Sequence, residues 1–152
     1  MKLSRTITYA VHAMLRLAET EVGVPVPCSQ LARAGQMPER FLLQVMRTLV
    51  NHRLLHSTRG VDGGYYLAKP PSEITLCEIV EAFDNPLESR LPEISCTSDH
   101  VRELVMATLQ RASQAARQEL ERLTLADLLS ENDEEPQNAQ VKELAVRTHH
   151  PD

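Results

Sequence analysis

The stretch from Pro27 to Pro38 constrains this chain most, because it leaves room for one helix of about two turns and a three-residue connection before the next helix opens. Cys28-Ser29-Gln30-Leu31-Ala32-Arg33-Ala34 contains no helix breaker, and Gly35 supplies a stop at its end. Pro38 suits a first helical turn, where its missing N–H leaves no intrahelical bond unmade. From there Phe41, Leu42, Val45, Met46 and Leu49 recur at helical spacing. Two helices joined by so short a glycine-containing turn spell a helix-turn-helix.

The flanks agree with this. Ile7, Ala10, Val11, Met14, Leu15 and Ala18 give one apolar face to a helix over residues 6–19. Beyond Asn51, apolar segments at 54–58 and 65–68 flank Arg59-Gly60-Val61-Asp62-Gly63-Gly64, the pattern of a β-hairpin whose turn needs positive φ, and Pro70-Pro71 ends it. Thr75-Leu76-Cys77-Glu78 is a capping box ahead of Ile79, Val80 and Phe83. Residues 1–84 therefore read as a winged helix-turn-helix DNA-binding domain.

Residues 85–98 hold two prolines and no period, and read as a loop. From Thr97-Ser98-Asp99 a long helix follows, in which Val101, Val105, Leu109, Ala112, Ala116, Leu120 and Leu123 form an apolar seam. Such a seam must be buried. The same helix of a second subunit is the expected partner, with a home on the chain's own winged domain as the alternative. Residues 99–129 are thus a dimerisation helix and a terminal turn, and 130–152 an acidic tail with the composition of disordered chain. The fold class expected is mainly α with a small β-hairpin: a winged helix-turn-helix plus a long C-terminal dimerisation helix.

Charge divides the chain in the same place. The whole carries −5, but residues 1–70 carry nine Lys/Arg against four Asp/Glu, and 71–152 seven against seventeen. The basic half suits a polyanion such as double-stranded DNA, and the acidic half stays off it. No nucleophile–base pair or phosphate-cradling loop marks an enzyme: the glycines of 59–64 lie between two strands, whereas a phosphate loop leads from a strand into a helix. Without a signal-like or spanning apolar block, the expectation is a cytoplasmic protein with no membrane partner.

On the second helix of the motif the outward positions are Glu39, Arg40, Leu43, Gln44 and Arg47. Arg40 suits guanine, Gln44 adenine, Leu43 a thymine methyl and Arg47 a phosphate. Arg59, followed by Gly60, stands where a hairpin enters a narrow groove, and Arg5 is a further candidate DNA contact just ahead of the first helix. Taken singly, each is also an ordinary exposed side chain. A winged-helix protein-interaction module is the competing class, which the arginines on these elements disfavour.

The opening Met-Lys-Leu-Ser with Tyr9-Ala10-Val11, the run Arg59-Gly60 to Gly63-Gly64-Tyr65 and Leu67, Ile74-Thr75-Leu76 with Glu78-Ile79-Val80, and Leu123-Thr124-Leu125-Ala126-Asp127-Leu128-Leu129 together resemble the IscR/NsrR/CymR family of winged-helix transcription regulators. The resemblance spans residues 1 to about 130. It implies a bacterial homodimer on a palindromic operator, acting as a repressor, with the long helix as dimer interface.

Many members of that family hold an iron–sulfur cluster on three closely spaced cysteines in the loop before the dimerisation helix. Here the loop offers only Cys96. Three readings stay open. The protein lacks a cofactor and represses constitutively or answers a small molecule; or Cys96 joins His100 or His12 in an iron–sulfur or metal site with non-standard ligands, a case weakened by Thr8 where a carboxylate would help; or a thiol switch uses Cys28, Cys77 or Cys96, all near predicted helix N-termini. For His12 the simpler reading is a half-buried histidine, and for Cys28 and Cys77 a packed apolar side chain.

Overall fold

A computed structural model describes residues 4–83 and 98–131. Five α-helices and one two-stranded sheet appear in the order α1 (Arg5–Ala18), α2 (Cys28–Ala34), α3 (Glu39–Asn51), β1 (Leu55–Thr58), β2 (Gly64–Leu67), α4 (Leu76–Glu81) and α5 (Asp99–Arg122), with a 3-10 turn at Pro71–Glu73. A last helical segment covers 125–131. The mainly helical class with a small hairpin is as expected from the sequence. Most of the 85–98 segment, Cys96 included, and the tail beyond 131 lie outside the described residues.

The core is aliphatic, as a chain with 3% aromatic residues requires. Ile7, Ala10, Met14 and Leu17 of α1 meet Leu42, Val45, Met46 and Leu49 of α3, with Leu31 of α2 and Ile79 and Val80 of α4 closing the cluster. The capping box forms: Glu78 N donates to Thr75 Oγ1 at 3.2 Å, and Thr75 N to Glu78 Oε2 at 3.1 Å.

Gly35 differs from the expectation in an instructive way. It ends α2 at φ −96°, and the left-handed residue is Gln36 at φ 50°. Met37 N bonds Ala32 O at 2.8 Å and Gln36 N bonds Arg33 O at 3.3 Å, which is a Schellman stop one residue later than expected. A Cβ at 35 would crowd the side-chain ends of Met37 and His12, at 2.5 Å from Met37 Cε and 2.8 Å from His12 Cδ2, so glycine leaves room for both. The same stop ends α3, with Arg53 left-handed at φ 59° and Leu54 N bonded to Leu49 O at 3.0 Å.

The hairpin pairs Leu55 with Leu67 and Ser57 with Tyr65. The chain before α2 adds to its edge: Val26 and Tyr65 exchange two N–H···O bonds of 2.9 Å. Gly64 lies in the strand rather than the turn, and a Cβ there would overlap the Val26 carbonyl.

The long helix requires a correction to the expected seam. Leu109, Ala116 and Leu120 are half-buried, and Leu120 packs against the chain's own core, whereas Val101, Val105 and Ala112 are exposed. At 3.6 residues per turn the seam is about 100° wide, and its edge with Leu109, Ala116 and Leu120 faces inward while the edge with Val101, Ala112 and Val105 faces outward. Arg117 Nη2 sits 2.5 Å from Glu81 Oε1, fastening α5 to α4. Beyond α5 the chain returns to the winged part: Leu76 N donates to Leu123 O and Leu125 N to Ile74 O, both at 2.8 Å, and Leu125 is fully buried. The own-domain alternative therefore accounts for the inward edge of the seam, while Val101, Leu104 and Val105 stay exposed among the described residues.

Candidate nucleic-acid interface

Helix α3 presents Leu42, Val45, Met46 and Leu49 inward, which leaves Arg40, Gln44, Arg47 and Asn51 exposed along one stripe. Between the start of α2, this helix and the hairpin lies an open cleft of about 570 Å³, lined among others by Ser29, Glu39, Arg47, Asn51, Arg59 and Tyr65. Of the residues singled out from sequence, the structure gathers Glu39, Arg47, Arg59 and Gly60 here. Arg40 is exposed on the same helix but does not line the cleft, and Gln44 lines a separate hollow with Thr6, Thr48 and Phe83. Arg5 is exposed at the head of α1. Leu43 departs from the outward expectation, being half-buried against the core.

The hairpin tip is built for close approach. Gly60 adopts φ 114°, a conformation closed to residues with a Cβ, and Gly63 N closes the turn on Gly60 O at 3.1 Å. Arg59 and Val61 are exposed, and Arg59 has no ion pair among the described residues. Tyr65 forms part of the cleft wall. Burial first, then the neighbouring Cys28, pushes its phenol above the ordinary range, against the pull of Arg47. Sequence reasoning passed over Ser29, Asn51, Ser57 and Tyr65: Asn51 and Ser57 come from α3 and β1, and the Val26–Tyr65 pairing brings the start of α2, with Ser29, to the same surface.

The two cysteines inside the described region are shielded and their thiols are held up. Cys28 and Cys77 are both buried. Burial above all, with Glu39 adding to it, raises the Cys28 thiol; burial and then Glu81 push Cys77 up to about 11. Desolvation outweighs the helix-terminus effect expected to favour thiolate. Both thiols stay protonated near neutral pH.

The donor set does not fit a thiolate-held cluster. The chain has three cysteines in all, and Cys28 and Cys77 are buried on separate elements, α2 and α4, which leaves Cys96 alone in the segment before α5. Thr8 and His100 are exposed, and among the described residues no three of His, Cys, Asp and Glu gather as metal ligands. His12 is half-buried against Gly35, and its Nε2 has no hydrogen-bond partner. Burial, then Arg16, lowers its pKa against the opposing pull of Glu19. Among the described residues, no helix is long and apolar enough to cross a membrane.

Comparison with known proteins matches residues 3–131 to the Rrf2 family, described as an iron-dependent transcriptional regulator. Over 135 residues, 89% of this chain and 94% of the relative, the chain is 30% identical to the transcriptional regulator CymR of Bacillus subtilis (strain 168). It is 39% identical over 89 residues to a protein of Mycobacterium tuberculosis named as a helix-turn-helix-type transcriptional regulator, and spans 55% of that relative's length. Among solved structures, CymR, titled the global cysteine regulator of B. subtilis, superposes with a TM-score of 0.67 at 29% identity, covering 86% of this chain and 97% of that one. IscR of T. potens gives 0.68 at 26% identity, covering 88% and 90%.

Proposed function

We propose, from the premise that this chain belongs to the Rrf2 family of transcriptional regulators, that it is a sequence-specific DNA-binding regulator acting as a cytoplasmic homodimer, with no enzymatic activity of its own. The observation that carries this reading is the cleft in which Arg47 and Arg59 stand on either side, one on α3 and one on the hairpin. A helix fits the major groove of duplex DNA, and a hairpin with a small-residue tip fits the adjacent narrow groove. Arg40 and Gln44 then face base edges, Arg47 a phosphate and Arg59 with Gly60 the minor groove, while Arg5 steadies the backbone at the other end of α3.

The exposed first half of α5 supports the dimer. Val101, Leu104 and Val105 are 47%, 60% and 41% exposed, and a second copy of the same helix covers such a stripe by two-fold symmetry. Two copies of α3 then read two half-sites of a palindromic operator about one helical turn apart, and occupation of that site blocks transcription. In this division, residues 1–84 bind DNA, 85–98 act as the sensing segment and 99–129 dimerise, with 130–152 taking no part in either role.

The family description and the relatives' names concern iron and cysteine, but the buried Cys28 and Cys77 favour a cluster-free regulator. One observation favours the second reading, a cluster or metal held by Cys96 with His12 or His100: the unpartnered buried Nε2 of His12. Iron, sulfide and visible absorbance on protein purified without oxygen separate the two. Colourless, metal-free protein that binds DNA supports the first, and a chromophore lost in Cys96→Ala supports the second.

The DNA reading is tested by titrating a duplex selected from a random pool. Arg59→Ala should weaken binding to all sequences by about 1–3 kcal/mol, and Arg40→Ala should relax preference at particular base pairs. Unchanged affinity and selectivity in both variants would falsify the assignment.

A further inference from the structure

The cleft between α3 and the hairpin has one carboxylate among its lining residues, Glu39, and on the reading above that carboxylate faces a polyanion. It is the first residue of α3, it is exposed, and no hydrogen bond or ion pair engages it among the described residues. Arg47 and Arg59 line the same cleft without neutralising it through a direct pair. The turn into α3 does not depend on it either: Phe41 N and Leu42 N both bond Pro38 O, at 3.1 and 3.0 Å. A negative side chain placed there repels phosphate unless a donor meets it.

The major groove offers an acceptor two donors, the N4 amino group of cytosine and the N6 amino group of adenine. Adenine sets the N7 acceptor beside its amino group, which repels a carboxylate, whereas the cytosine amino group stands without that neighbour. Position favours this contact. The N-terminal residues of a recognition helix are those that reach base edges, and Glu39 opens α3 at the cleft edge of the stripe that carries Arg40 and Arg47.

We propose that Glu39 is a specificity-determining residue that accepts a hydrogen bond from the amino group of one cytosine in each half-site and penalises every other base pair there. The arginines attract the backbone without regard to sequence. Glu39 subtracts from that attraction everywhere except at the matching base, so its main effect is on discrimination rather than affinity.

This rests on the DNA-binding reading, and the test is arranged to separate the two. Wild type, Glu39→Ala and Glu39→Gln are each used to select duplexes from a pool with a randomised core, and their binding to the wild-type consensus and to its single-base variants is then measured. Wild type should prefer cytosine by about tenfold at one position per half-site; Glu39→Ala should make that position degenerate and Glu39→Gln should move it toward adenine, the usual glutamine partner. Binding of Glu39→Ala to random duplex should tighten several-fold, since the cleft then carries one negative charge fewer. If Glu39 only favours the first turn of α3, the variants will melt slightly earlier and select the same consensus, which overturns the proposal. If no protein, wild type included, enriches any sequence, the DNA-binding reading itself fails.

Discussion

The winged part and α5 bury their apolar residues in opposite ways. Among the described residues, every buried core residue apart from Leu125 comes from positions 7–83, whereas α5 contributes 24 residues and buries none of them. The inward stripe of α5, with Leu109, Ala116 and Leu120, rests half-covered on the winged part, and the Glu81–Arg117 pair and buried Leu125 hold that end down. Its outward stripe, with Val101, Leu104 and Val105, is exposed among the described residues. Among the described residues, one part of the molecule thus carries its own core, while the other leaves an apolar stripe exposed.

Core and stripe should respond differently to the same kind of change. Leu42→Ala removes a fully buried side chain and should cost about 2–5 kcal/mol in chemical unfolding, with little direct effect on subunit mass. Val105→Ala should leave the stability of the winged part unchanged within about 0.5 kcal/mol, as surface changes do. Equal losses in the two variants would break the contrast. Smaller terms sharpen it within the winged part: Thr75→Ala removes the side chain that caps α4 and should cost about 1 kcal/mol by thermal melting. Gln36→Gly relieves a left-handed side-chain residue and should return somewhat under 1 kcal/mol.

The smallest effect expected is a pH dependence at His12. Its pKa is lowered in the folded protein, so the unfolded chain binds the proton first as pH falls. The stability contributed by neutral His12 is present above its unfolded value, near 6.5, and is lost as pH drops below it. Melting scans between pH 8 and 5 should show His12→Leu with a shallower acid decline than wild type, whereas parallel curves would mean that His12 is ionised without penalty.

The helix-turn-helix, the hairpin and the α4 capping box were legible because local rules set them: period, glycine placement and a Thr-x-x-Glu signature. The cleft was legible only in part. Arg47 and Arg59 stand out as basic residues on the expected elements, but Tyr65 and Ser29 reach it through the Val26–Tyr65 pairing, which joins residues 39 apart in sequence and leaves no local pattern. Gly35 caps α2 as expected, but its conformation was not legible for a similar reason. Its lack of a Cβ serves His12, on another helix, while the left-handed turn falls to Gln36. The α5 seam was drawn as one line because a period alone does not say which of two neighbouring faces meets the chain's own core.

Sedimentation of the full chain with and without a selected palindromic duplex, for wild type and Val105→Glu, tests the dimeric regulator most directly. The account predicts a wild-type dimer that places two chains on each duplex, and a Val105→Glu variant that sediments as a monomer and binds the duplex at least about tenfold more weakly, an avidity effect. A single wild-type chain per duplex, or a Val105→Glu dimer that binds DNA as wild type does, would contradict it.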